Sequence, residues 1–388
     1  MPSRYEQHLA RLAPQVIDEA VRIAEIPAPT FREQDRARDV ERRFAEIGGW
    51  DHLERDRLGN VVAIRKGDPG AGRVLAAAHL DTVFPDAEIH IRRSRGRLAG
   101  PGIGDNSVSV AALLAVAQAL HDAPPRGVGD ILLAANVGEE GRGDLRGIRA
   151  ICKQYAGQFD RVLAVEGHAR DRVQTGFVGS NRYEIAVATD GGHSWGAYGR
   201  PNAIQLLARA IAALEPHFPR VGIEPKTTMN VGVVRGGRSV NTIAPDASAE
   251  LDIRSEDPTA LATLDRIARR AIRTALEDHT SRSTAEHAGV TLDIRRIGRR
   301  PAGSIPQTDP LIEAILKARR DSRLPAPTFN AGSTDANHPT SLGIPAACIG
   351  PTTGAEAHTP REWINTAPIR DGLPYVGRAI ANAARLPR

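Results

Sequence analysis

Three short apolar runs in this chain stop abruptly at an acid or a histidine, and this feature most limits what the chain can fold into. Residues 74–79 read VLAAAH and lead into Leu80 and Asp81. Residues 131–137 read ILLAANV and lead into Gly138, Glu139 and Glu140, and residues 162–165 read VLAV and lead into Glu166. Short apolar runs without alternation predict strands buried on both faces. Residues 108–120 carry a helical pattern and open after Gly102-Ile103-Gly104-Asp105-Asn106-Ser107. Strands alternating with helices imply the α/β class, a mainly parallel sheet covered on both sides. Ligands of such sheets bind beyond the carboxyl ends of the strands, where these polar residues fall.

The same reading extends along the chain. Val16, Ile17, Ala20, Val21 and Ala24 recur at helical spacing before Pro27 and Pro29, and a second helix ends at Gly48-Gly49. A strand is expected at 61–64. From about residue 179 the order becomes strand 183–188, helix 203–214, strands 229–234 and 247–253, helix 261–276 and strand 290–294. That is the split βαβ order of a small ferredoxin-like α+β domain. Helix 311–319, strand 346–349 and a helix from about 368 then resume the first pattern. The expected organisation is a catalytic domain of residues 1–178 and 296–388, interrupted by a domain at 179–295. A chain of 388 residues agrees with two domains at roughly 150 residues each.

Composition narrows the partners. Of 51 basic residues 47 are arginine, but they are interleaved with 46 acids and form only short clusters. This reads as a solvated surface rather than a nucleic-acid stripe. Two cysteines, Cys152 and Cys348, cannot build a disulfide framework. With a polar N-terminal stretch and no long apolar run, the expectation is a cytoplasmic protein without a membrane span.

Each polar residue at a strand end has an ordinary explanation by itself. An Asp ahead of a helix serves as an N-cap, and adjacent glutamates are common in solvated turns. Their joint placement is what matters: His79, Asp105, Glu139, Glu140, Glu166 and His358, the last in a Gly/Thr-rich loop, all fall at strand-to-helix transitions. Like charges gathered at one place need a cation to neutralise them. Imidazole with carboxylate suits zinc or a similar divalent ion.

The motifs HLDTV (79–83), GIGDNS (102–107), GEEG (138–141), VEG (165–167), GGHSW (191–195) and AHT (357–359) together resemble the co-catalytic dinuclear zinc family that includes aminoacylase, peptidase T, glutamate carboxypeptidase, acetylornithine deacetylase and succinyl-diaminopimelate desuccinylase. The resemblance implies a zinc-exopeptidase-like catalytic domain whose insert is a lid and dimerisation domain, hence a homodimer. It implies two zinc ions per chain, with cobalt or manganese able to substitute. His79 would bind one ion, Asp105 would bridge, Glu140 and His358 would complete one shell, and Glu166 the other. Asp81 would hydrogen-bond the His79 imidazole and set its tautomer. Glu139 would be the general base in the attack of a zinc-activated water.

In the insert, His193 resembles the family histidine that stabilises the oxyanion, delivered from the neighbouring subunit in dimeric members. Asn241 and Arg254 match a family pair, Arg254 being a clamp for a substrate carboxylate or else an ion-pair partner of Asp252. Gly332, in GSTD (332–335), resembles a loop lining the substrate pocket. His168, close after Glu166, stays unassigned. The implied reaction is hydrolysis of a peptide or N-acyl amide bond in a small peptide or N-acyl amino acid. Glu at 166 leans towards carboxypeptidases and deacylases, whereas NVGEEGRGDLRG and GGHSWGAYGRPNAI look like a peptidase-T-like di- or tripeptide aminopeptidase. A non-catalytic metal-binding relative is the alternative of another class.

Overall fold

The computed structural model describes residues 3–85, 88–222, 224–282 and 289–388, with backbone only for 278–282. It divides into two compact units, Met1–Phe177 with Ser304–Arg388, and Val178–Gly303.

The first unit is built on one large sheet. Its strands run in the order His52–Arg55, Val61–Arg65, Ile131–Asn136, Val74–His79, Arg161–Val165, Ala346–Ile349 and Arg172–Phe177, with Thr328–Gly332 also beside the last. The centre is parallel: Val74–His79 pairs in parallel with both Ile131–Asn136 and Arg161–Val165, and Ala346–Ile349 extends the parallel run. Every residue of these four strands is buried. Both faces of the sheet are therefore covered, which is why the runs show no alternation. Helices Arg4–Ala24, Val108–Asp122 and Ile369–Arg385 pack together, and the last two touch strand Val74–His79. The stretch Ile103–Asp122 is long and apolar enough to cross a membrane by composition, but 89% of its most apolar 18-residue window is buried inside the protein. It is the central core helix, and its apolar character follows from that position.

Sequence periodicity did not signal a small antiparallel sheet in this unit. It orders Gly354–Ala355, Trp363–Asn365, Arg97–Ala99 and Arg92–Ser94. These strands have two or three residues each, too few to show a period. Their effect is to lay the loop of His358 along the segment that leads into Gly102.

The second unit is a four-stranded antiparallel sheet in the order Thr227–Gly236, Asp246–Ser255, Gly179–Ala188, Thr291–Arg300. Helices Ala203–Ala212 and Pro258–Arg282 pack against it. Strands Gly179–Ala188 and Asp246–Ser255 alternate in burial, as expected when one face carries the core. The boundary lies at 303/304 and not at 295/296. Strand Thr291–Arg300 stays paired with Gly179–Ala188, through a register shift between Arg296 and Gly298, as far as Arg300 opposite Ser180, so the last residues of that strand belong to the insert.

Candidate metal centre

The strand ends of the first unit bring five side chains to one place. His79 is the last residue of strand Val74–His79 and is 2% exposed. Its Nε2 lies 3.0 Å from Asp105 Oδ1 and 3.7 Å from Glu166 Oε2. His358 Nε2 lies 3.1 Å from the other Asp105 oxygen and 2.8 Å from Glu140 Oε1. Two triads thus share one carboxylate: His79, Asp105 and Glu166, and Asp105, Glu140 and His358. Within each triad the donor atoms lie within 4.8 Å of one another. Glu139 forms a third such group with His79 and Glu140, which puts its carboxylate at the edge of the same centre.

Asp105 is not an N-cap. Ser107 occupies that position for helix Val108–Asp122 and makes no side-chain cap bond. The turn Ile103–Ser107 leaves helical geometry at Asp105 (φ −114°, ψ 84°) and Asn106 (φ −136°, ψ 29°), and the Asp105–Asn106 peptide is cis. Asn106 is fully buried and ties the turn to the neighbouring strand, donating to Val165 O at 2.9 Å and accepting from Gly167 N at 3.2 Å.

Asp81 works differently from the expectation. His79 Nδ1 is 3.0 Å from the main-chain carbonyl of Asp81, and 3.6 Å from its carboxylate. A carbonyl accepts only, so Nδ1 carries a proton, and Nε2 is the nitrogen that faces the acids. The Asp81 carboxylate accepts instead from Glu139 N at 2.9 Å, Glu140 N at 3.0 Å and Thr30 Oγ1 at 2.9 Å. It aims the glutamate pair by holding the backbone of both residues. Gly138 precedes them with φ 64°, and a Cβ there would sit 2.5 Å from Arg146 Nε, so only glycine fits this turn.

Further residues hold the loops. Glu362 is fully buried and accepts from Gly102 N, Gly104 N and Asp105 N. Arg36, also fully buried, donates to Leu80 O at 2.8 Å and to Ile26 O at 2.9 Å, pinning the residue between His79 and Asp81 to the end of the first helix. His168 packs against Gly104 and Gly354, 3.4 Å from Glu362 Oε1. Asn136 donates to the buried Asp335 at 2.8 Å. Of these, His168 and the Asp335 of GSTD stand in or beside the stretches already singled out, whereas Glu362 and Arg36 do not. Neither has periodicity or motif spacing.

The electrostatics of the metal-free cluster are those of a site waiting for positive charge. Burial pushes the Glu140 and Glu166 carboxyls up to about 7, with the Asp105 and Glu139 charges adding to it against the neighbouring imidazoles. Burial opposes ionisation of Asp105 too, but hydrogen bonds from His358 and His79 hold it far below the usual range. Hydrogen bonds to Asp105 and Glu140 raise His358 to about 10. Burial would lower His79, but Glu166, Asp105 and Asp81 outweigh it and raise it well above its ordinary value.

The second unit presents its candidate residues separately. His193 sits in the short strand Gly192–His193 paired with Thr242–Ile243, and its side chain is exposed. Its Nδ1 accepts from Trp195 N at 3.2 Å and Gly196 N at 3.4 Å. With Nδ1 accepting, a neutral ring carries its proton on Nε2. Asn241 takes a hydrogen bond from Ser239 Oγ at 2.9 Å, and its carbonyl accepts from Ser194 N at 3.0 Å. Arg254 makes the ion pair with Asp252, Nε to Oδ2 at 2.6 Å. Gly332, in the first unit, faces the Gln174 side chain, whose Oε1 would be 2.6 Å from a Cβ. Its smallness serves that contact.

Residues 75–382 match the model of peptidase family M20/M25/M40. A Mycobacterium tuberculosis protein carrying the provisional name succinyl-diaminopimelate desuccinylase DapE is 26% identical over 363 residues, 92% of this chain and 95% of that one. A tripeptidase from Staphylococcus aureus superposes with a TM-score of 0.78 at 18% identity, over 96% of this chain and 99% of that one. The Bacillus subtilis YXEP protein, a dinuclear metal binding peptidase of the M20 family, superposes with a TM-score of 0.68 at 15% identity, over 96% and 98% of the two chains.

Proposed function

The chain belongs to peptidase family M20/M25/M40, and on that premise we propose that it hydrolyses a peptide or N-acyl amide bond in a small peptide or N-acyl amino acid. The supporting observation is the pair of triads that share Asp105. The donor set fits two divalent cations: two imidazoles and three carboxylates, one carboxylate common to both groups, with no thiolate. His79, Asp105 and Glu166 would hold one ion, and Asp105, Glu140 and His358 the other. Zinc suits these ligands, and cobalt or manganese can replace it. When bound, such a pair supplies Lewis acidity at a carbonyl oxygen and makes water acidic near neutral pH.

The chain's own groups do the proton work. Glu139 takes a proton from the attacking water, whose oxygen forms the new bond to the carbonyl carbon. As the carbon–nitrogen bond breaks, Glu139 returns the proton to the leaving nitrogen. Adjacent residues divide the labour, Glu140 facing the ions and Glu139 the water. Asp81 keeps both in place by holding their backbone amides. His193, with its proton on Nε2, is the donor we assign to the oxyanion, contributed by the neighbouring subunit of a homodimer through the second unit. Arg254 and Asn241 are assigned to the substrate's far end.

The test is a mass-spectrometric panel on zinc-loaded protein that pairs free-amine di- and tripeptides with N-acyl amino acids. Cleavage of N-acyl amino acids supports the deacylase branch, in line with glutamate at 166. Cleavage confined to free-amine peptides favours the aminopeptidase reading suggested by the stretches around Glu139 and His193. Glu139→Ala is expected to lower turnover about 10²- to 10⁴-fold without loss of metal. Wild-type turnover in that variant, or no cleavage anywhere in the panel, overturns the reading.

A further inference from the structure

One buried carboxylate joins the two loops that carry the shared ligand and the exposed histidine. Glu362 Oε2 accepts from Gly102 N at 2.7 Å, and Oε1 accepts from Gly104 N at 3.1 Å and Asp105 N at 2.7 Å. Glu362 follows His358 by four residues, and strand Trp363–Asn365 lies antiparallel on Arg97–Ala99. Gly100 N donates to the Glu362 carbonyl at 2.8 Å. Gly104 makes the approach feasible, because a Cβ there would sit 2.8 Å from Glu362 Oε1 and 2.0 Å from His168 Nε2.

The turn needs such an acceptor. Buried amides must find a partner, and here three of them within four residues converge on one side chain. The consequence reaches Asp105, whose two oxygens must diverge to face His79 Nε2 at 3.0 Å and His358 Nε2 at 3.1 Å together. That requires its main chain to be fixed.

We propose that Glu362 is a positioning residue of the metal centre: it locks the 102–105 turn so that Asp105 bridges, and thereby sets the affinity for the second ion. The proposal rests on the two-ion reading given above. With the turn loosened, one ion keeps His79, Glu166 and a single Asp105 oxygen. The other is left with Glu140 and His358. Loss of Glu362 therefore falls mainly on the second ion, whereas a merely structural role would weaken both ions together with the fold.

The test is a cobalt(II) titration of metal-free wild type, Glu362→Gln and Glu362→Asp, read by heat and by visible absorption. Gln keeps the size but offers one acceptor oxygen and turns an NH₂ towards a donor. Asp keeps the carboxyl group but shortens the reach, and it decides the question if the Gln variant does not accumulate folded. Wild type is expected to take two ions. Each variant is expected to bind the first ion nearly as wild type and the second about 10- to 100-fold more weakly, the usual effect of losing a group that orients a ligand. Metal-free melting temperature should change little. Wild-type affinity for the second ion in both variants overturns the proposal, as does equal weakening of both ions with a large fall in melting temperature. A wild type that takes only one ion overturns the two-ion reading and the proposal with it, a result visible without any variant.

Discussion

The two units hold their candidate functional groups in opposite ways. In the first, His79, Asp81, Glu139 and Glu140 are all 5% exposed or less, and Asp81, Glu139 and Glu140 are oriented by groups from distant parts of the chain, with His79 held by the adjacent Asp81 carbonyl. Asp81 reaches across 58 positions to Glu139, and Glu362 across 257 to Asp105. In the second unit His193 is exposed and is oriented by amides two and three residues away, and Arg254 by Asp252 on its own strand. A cluster of carboxylates can exist only where many long-range contacts force it, so it belongs to the rigid sheet. A single neutral donor needs only a local turn. The difference teaches where the free energy of preorganisation is invested: in the sheet, and little in the insert.

Substitutions separate the two regions. His193→Ala should lower turnover about 10²- to 10³-fold, the usual effect of removing one oxyanion donor, with metal content and melting temperature unchanged. A loss of metal in that variant would break the contrast. Asp81→Ala acts on the first unit through the backbone of Glu139 and Glu140, and should weaken metal binding or activity about 10- to 100-fold. Atomic absorption after dialysis and steady-state kinetics check both variants.

A smaller effect lies in pH. Glu140 and Glu166 rise from 4.5 to about 7, and His358 from 6.5 to about 10, in the folded metal-free protein. Each folded value exceeds the unfolded one, so each group stabilises the fold fully below its unfolded pKa and loses that contribution as pH rises through the folded pKa. Metal-free protein should therefore lose melting temperature between about pH 4.5 and pH 10, and the gain on adding zinc should widen over the same range because binding displaces protons. Calorimetry with and without chelator measures the gap. A gap that narrows with rising pH contradicts the account.

Much of the architecture was legible because it is periodic. The continuous apolar runs marked the buried parallel strands, and the order of strands and helices marked the insert. The candidate ligands that the structure brings together were legible because they stand at strand ends and in loops in motif order. What could not be read depends on tertiary geometry. The two- and three-residue strands around Gly354 and Trp363 have no period, so Glu362 looked like an ordinary acid in a polar loop. The Asp81 carboxylate could not be told from its carbonyl as the partner of His79. The end of the insert was set by strand register through Arg300, beyond the point where the apolar alternation fades into arginines.

The central claim is that the first unit assembles a centre for two ions around one shared carboxylate. Its most direct test is the zinc content of dialysed wild type, Glu139→Ala and Asp105→Ala by mass spectrometry. The account predicts close to two ions per chain in wild type and in Glu139→Ala, and one or fewer in Asp105→Ala. Two ions in Asp105→Ala, or a single ion in wild type, would contradict it.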